Sequence, residues 1–230
     1  MTSANACEYV YGRIYFPSQA PIPIARPRLC GDDSMATVPI TTSISPGHPS
    51  RHRITVNDFH RMADVGILRR DERVELIDGE IIDMSPIGQL HAALVAVLAK
   101  AFHDAVGNAA IVWVQNPIVL DDTSEPQPDI ALLEPREDYY SARSPQPSDV
   151  MLLVEVADTS LDHDLTVKVP RYASAGVREV WVIDAATRQT HRFRKPAEGT
   201  YADRDIVLPQ SLLEYGRLSV ALAHLLPVAP

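Results

Sequence analysis

The stretch Met151-Leu-Leu-Val-Glu155-Val156 constrains this chain most. It is an almost continuous apolar run of strand length, and such a strand is buried on both faces. It requires a sheet covered on both sides. Glu155 stands inside that run. A lone carboxylate in an apolar interior is so unfavourable that it must be paired, protonated or bound to a cation. The bland alternative is a glutamate at the strand end, reaching solvent or a core arginine.

Pro128-Asp129-Ile-Ala-Leu-Leu133 has the same shape, with proline opening a strand and an acid at its first residue. Asp after Pro also caps turns, so Asp129 alone says little. Together the two acids are more informative. Carboxylates on adjacent strand ends make a concentrated negative pocket, which suits Mg²⁺ (or Mn²⁺) with its oxygen ligands and retained waters. A third element is Lys168. The chain has three lysines against 18 arginines, and Lys168 lies on the predicted helix after Glu155. Lysine is a compact point charge with an adjustable pKa, which arginine cannot replace. Compositional chance, or an exposed Asp164–Lys168 helix pair, is the ordinary explanation.

The rest of the chain sets these residues in order. Residues 1–50 hold seven of the 19 prolines and no sustained apolar period, and read as a disordered or extended tail. Regular signals run over residues 51–230, the expected folded domain. Thr55-Val-Asn-Asp58 opens a short helix to about Val65. Residues 73–84 form two apolar runs around Asp78-Gly79, a hairpin turn dipeptide. Residues 91–106 carry helical spacing, and strands are expected at 110–119, 129–133 and 150–156. Residues 162–175 read as a helix and 178–184 as a buried strand. A closing pair spans 188–194 and 201–208, and a last helix 218–226. The order predicts an α/β (α+β) fold, a mixed sheet with helices on both sides.

Charge and cysteine content narrow the function. The chain carries 21 Lys+Arg against 30 Asp+Glu, a net of −9, which excludes a binder relying on overall positive charge. Arg188, Arg192, Arg194 and Lys195 form the one basic cluster; it reads either as a charge-protected edge strand or as a phosphate-contacting strip. Two cysteines, Cys7 and Cys30, make no disulfide framework or cysteine-rich zinc site. With no run of ~18 apolar residues and no secretory leader, a cytoplasmic protein without membrane partners is expected.

Several motifs then resemble one family. They are Glu75-Leu-Ile-Asp-Gly-Glu80, Gln115-Asn-Pro-Ile-Val-Leu-Asp-Asp122, Pro128-Asp129-Ile, Val154-Glu155-Val156-Ala-Asp-Thr-Ser160, Asp164 to Gly176, and Glu179-Val-Trp-Val-Ile-Asp184. In this order, over about residues 54–226, they resemble the Uma-type restriction-endonuclease family of the PD-(D/E)XK nuclease-like superfamily. The resemblance implies a restriction-endonuclease-like core, a central mixed β-sheet flanked by helices, and metal-dependent DNA phosphodiester cleavage. It makes Asp129 and Glu155 the motif acids. Ala157 stands where the usual lysine would be, so Lys168 is the relocated lysine of this family. Glu75 is similar to an additional N-terminal acid, making Asp129, Glu155 and Glu75 the metal set, although a hairpin surface position is as good a reading. His91 occupies a family-typical position at a helix start, where an ordinary hydrogen-bonding role is the simpler account.

Two functions stay open at this stage. One is a Mg²⁺-dependent endonuclease acting on DNA, with a homodimer the simplest way to cut two strands. The other is a catalytically silent nuclease-like domain that binds nucleic acid or assembles with partners.

Overall fold

Alternation along the central strand decides where everything else packs. The computed structural model describes residues 51–69 and 71–225; the expected tail at 1–50 lies outside them. Strand β5 (Val150–Ala157) sends Leu152, Val154 and Val156 to one face and Leu153, Glu155 and Ala157 to the other. The first face packs under helix α2 (Gln89–Val106) through Leu94, Leu98 and Phe102, together with Trp181. The second packs under helix α4 (Val169–Ser174) through Val169, Tyr172 and Ala173. Fully burying each such side chain is worth ~1.5–3 kcal/mol. The two layers explain why the run around Glu155 is apolar on both faces.

Six strands make the central sheet, in the order β3 (Ile111–Val114), β4 (Ile130–Leu133), β5, β6 (Glu179–Asp184), β7 (Thr190–Ala197) and β8 (Thr200–Val207). Only β5 and β6 run parallel. A parallel pair needs a crossover, and a helical segment supplies it. That segment is α3 (Leu161–His163), a wide π turn over Asp164–Lys168, and α4. The π turn accommodates Pro170. Proline has no N–H and clashes with the carbonyl four residues back, and a turn widened by one residue relieves both. Here the Val169 N–H reaches the Asp164 carbonyl instead.

The hairpin of β1 (Val74–Ile77) and β2 (Glu80–Asp83) turns at Asp78-Gly79 as expected, both residues with positive φ. Gly79 is required there: a Cβ would lie 2.5 Å from that of Arg53. Helix α1 (Val56–Asp64) is capped by the Thr55 hydroxyl, which accepts the Asp58 N–H.

Some expectations fail. The last helix does not form; β9 (Leu213–Tyr215) and β10 (Leu218–Val220) pair, and only a short 3-10 turn follows. Leu218 and Leu222 are too short a pattern to separate strand from helix by period alone. The strand expected over 110–119 is limited to β3. By length and composition, Gln89–Ala109 qualifies as a membrane-crossing helix, with mean hydropathy 1.3, which counting consecutive apolar residues does not reveal. In this fold its stripe of Leu94, Leu98 and Phe102 is buried against the sheet.

Candidate active site

Register brings the two strand-end acids together. Ile130 pairs with Val154 across the antiparallel β4–β5 ladder, so the next step places Asp129 opposite Glu155. Both sit on the α4 side of the sheet. The Val156 N–H donates to Asp129 Oδ2 at 2.9 Å, and the Asp129 N–H reaches Glu155 Oε2 at 3.4 Å. Glu155 is 3 % exposed. Its Oε1 accepts the Tyr172 hydroxyl at 2.6 Å and lies 3.4 Å from Lys168 Nζ. One carboxylate oxygen therefore faces the helix and the other faces Asp129.

Lys168 is buried, 5 % exposed, and so is Asp164. This overturns the exposed surface pair that the helix spacing alone allowed. Asp164, Lys168 and Tyr172 are all buried and face inward. The Lys168 ammonium lies 3.0 Å from Glu75 Oε2, and Glu75 is itself buried on β1. The surface reading of Glu75 is thus corrected. Glu75 joins the cluster through Lys168, and it also accepts the Gln127 N–H at 3.2 Å. Asp164 accepts the Ser160 hydroxyl at 2.6 Å.

The electrostatics follow from one ammonium among several acids. Burial opposes the charge on Lys168, but Glu155, Glu75 and Asp164 outweigh it and hold the ammonium protonated well beyond its ordinary range. Burial pushes Glu155 up to about 8, with Asp164 and Asp129 adding to the shift and Lys168 opposing it. Burial likewise raises Asp164. Tyr172 rises through burial and the adjoining carboxylates, so its hydroxyl keeps the proton that it donates to Glu155.

His91, at the start of α2, does hydrogen-bond: its Nδ1 donates to the Val156 carbonyl at 2.8 Å, since a carbonyl only accepts. Its buried Nε2 lies 3.0 Å from Asp129 Oδ1 but is not aligned for a hydrogen bond. The Asp129 carboxylate raises the basicity of the ring against the effect of burial. The sequence reading missed Tyr172 as a partner of Glu155; its place one turn beyond Lys168 is the signal that could have found it.

Glu75, His91, Asp129, Glu155, Asp164 and Lys168 line one cleft of about 310 Å³, with Arg73, Asp158 and His163 on its walls, and Tyr172 lies behind Glu155. The basic cluster is elsewhere: Arg188 precedes β7 and donates to the Ala223 carbonyl at 3.3 Å, while the three cations on β7 meet acids of β8. Arg192 pairs with Asp205 at 2.6 Å, Arg194 with Asp203 at 3.3 Å, and Lys195 with Asp203 at 3.4 Å. The edge-strand reading is corrected, because β7 is paired with β6 on one side and β8 on the other, and its cations are taken up by cross-strand acids.

The family model for Uma2, described as "Putative restriction endonuclease", matches residues 56–223. The chain belongs to the Uma2 family. Its match spans α1 through the final 3-10 turn and includes every residue of the cleft named above. Among solved structures, the crystal structure of a putative nuclease belonging to DUF820 from Anabaena variabilis ATCC 29413 is similar, with a TM-score of 0.58 at 16% identity. The alignment covers 75% of this Uma2 chain and 97% of that one. No curated protein matches in sequence.

The donor set fits a divalent cation in a particular way. Among the described residues no three His, Cys, Asp or Glu side chains converge as a ready-made metal cage. Mg²⁺ does not need one: it is held by one or two carboxylates together with waters and substrate phosphates. Asp129 and Glu155 provide such a pair of hard oxygen donors, and the surplus of buried carboxylate over ammonium leaves charge for a cation to balance.

Proposed function

We propose that this Uma2-family chain is a metal-dependent endonuclease that hydrolyses DNA phosphodiester bonds at the Asp129/Glu155/Lys168 cleft. The observation carrying this reading is that Asp129 and Lys168, 39 positions apart in sequence, both meet the buried carboxylate of Glu155 in one cleft.

Asp129 and Glu155 would hold Mg²⁺ or Mn²⁺, which supplies Lewis-acid polarisation of a phosphate and activation of water when bound. Glu75 supports them through Lys168. Tyr172 and Lys168 hold Oε1 of Glu155, leaving Oε2 on the Asp129 side. Lys168 is positioned to stabilise charge developing on phosphate oxygens or to orient the attacking water. Its surrounding acids keep it charged, so it acts as an electrostatic group and not as a base. His91, with its ring fixed by the Val156 carbonyl, stands beside Asp129 as an electrostatic neighbour. Two copies acting together would cut both strands of a duplex most simply.

A second reading is a nuclease-like domain without turnover. It is favoured by the internal pairing: Glu75 and Glu155 already share Lys168, and Asp129 already has His91 beside it. Supercoiled plasmid incubated with the protein, with Mg²⁺ or Mn²⁺ and then with chelator, separates the two. Nicking or linearisation that chelator stops supports the enzyme; intact plasmid under all conditions supports the silent domain.

A further inference from the structure

The cleft is lined by six carboxylates: Glu75, Asp83, Asp129, Glu155, Asp158 and Asp164. A nucleic-acid strand brings one negative charge per phosphate into it. A bound cation can offset the charge at the scissile position only. Lys168 is unsuited to hold a neighbouring phosphate, since its ammonium is buried between Glu75 and Glu155.

Arg73 is differently placed. Among the described residues it is the only arginine on the cleft wall. Among the described residues no carboxylate pairs with it; its Nη1 donates to the Ser85 carbonyl at 2.9 Å. Pairing of the β1–β2 hairpin continues through it, because the Met84 N–H donates to the Arg73 carbonyl at 2.9 Å. Alternation therefore sets Arg73 on the same face as Glu75, two residues away, or about 6.6–6.8 Å along the strand. Arg73 and His91 line the same cleft, and the Arg73 charge reaches the His91 ring.

Resting on the nuclease reading, we propose that Arg73 is the phosphate anchor of this cleft: its guanidinium holds the backbone phosphate next to the scissile one. Guanidinium offers five N–H donors in a rigid fork that matches phosphate oxygens. The Ser85 carbonyl uses one arm and fixes the orientation of the rest. Arg73 is then a substrate-binding residue, with no part in the bond-breaking step.

The test is single-turnover cleavage, with enzyme in excess, of a duplex oligonucleotide carrying one mapped cut. It yields a half-saturating enzyme concentration and a rate at saturation. For Arg73→Gln the half-saturating concentration rises about tenfold, the saturated rate stays within about twofold, and the salt slope of binding shrinks by about one. Arg73→Lys keeps the salt slope, because the charge remains. A neutral methylphosphonate in place of each phosphate flanking the cut tests the same contact from the substrate side. One of those positions weakens wild type by a similar factor and leaves Arg73→Gln unchanged. This arm uses wild-type protein, so it decides the matter even where Arg73→Gln does not fold. Unchanged half-saturation and salt slope in folded Arg73→Gln, or flanking methylphosphonates without effect on wild type, overturn the anchor. Wild type that cuts no duplex with Mg²⁺ or Mn²⁺ overturns the nuclease reading itself, a different failure from these two.

Discussion

The Tyr172 hydroxyl donates to Glu155 Oε1 at 2.6 Å from a fully buried position. This one bond joins α4, within the crossover, to Glu155 near the C-terminal end of β5. It fixes the carboxylate rotamer at its inner oxygen. A hydrogen bond to a charged group contributes ~1.5–3 kcal/mol. Tyr172→Phe removes the hydroxyl and keeps the ring that packs in the core. Calorimetric titration with Mn²⁺ is then expected to show affinity lowered about tenfold, a loss of ~1.4 kcal/mol. Unchanged affinity would mean that Tyr172 only fills space.

The pH dependence of the metal-free protein follows from Glu155. Its folded value of about 8 lies above the ordinary 4.5. Between those pH values the native state holds more protons than the unfolded chain, so stability falls as pH rises. Glu155→Gln removes that proton uptake. In chelator, the variant's thermal midpoint should decline less than that of wild type between about pH 5 and 8. His60 and His91 are also raised, by Glu125 and Asp129, so the difference between the two proteins is the quantity to read. Parallel curves would show that Glu155 is ionised in the fold throughout.

Lys168→Arg separates a positioned ammonium from a generic cation. The site is buried, and a guanidinium is larger and more fixed in geometry than the space between Glu75 and Glu155 accommodates. Single-turnover cleavage at saturating Mg²⁺ should fall by ~10²-fold or more, the usual scale for one positioned electrostatic group. Metal binding should survive, because lysine is not a ligand. Lys168→Met is expected to cost stability as well, ~3–5 kcal/mol, since it leaves buried carboxylates without their ammonium. Near-wild-type cleavage by Lys168→Arg would remove the lysine from the chemistry.

Residues 1–50 should add little to stability. A protein beginning at residue 51 is expected to melt within a few degrees of full length. A thermal midpoint lower by ~10 °C or more would show that the tail packs on the domain; a loss of ~1 kcal/mol alone moves Tm by only ~2–4 °C at this size.

Much of the site was legible because burial and charge conflict openly in the sequence. Glu155 inside an apolar strand and Asp129 after Pro128 announce costly acids, and the Asp78-Gly79 turn fixes its hairpin. Two things were not legible. One was direction: helical spacing puts Asp164, Lys168 and Tyr172 on one ridge but cannot say that these residues face inward, because that depends on the π turn at Pro170 and on the sheet beneath. The other was pairing over distance. Glu75 becomes a core residue only when its hairpin packs beside Lys168, 93 positions later in the chain. The β7 arginines looked free until β8 supplied Asp203 and Asp205 across the ladder. The failed final helix was a short apolar pattern without enough turns to establish a period.

In the proposed nuclease, Asp129 and Glu155 hold the cation at which DNA is hydrolysed. The most direct measurement compares plasmid cleavage by wild type and by Glu155→Gln, purified side by side, in Mg²⁺ or Mn²⁺. The account predicts metal-dependent cutting by wild type and none above background by the variant, with both folded. Equal cutting by the two proteins, or none by either, would contradict it.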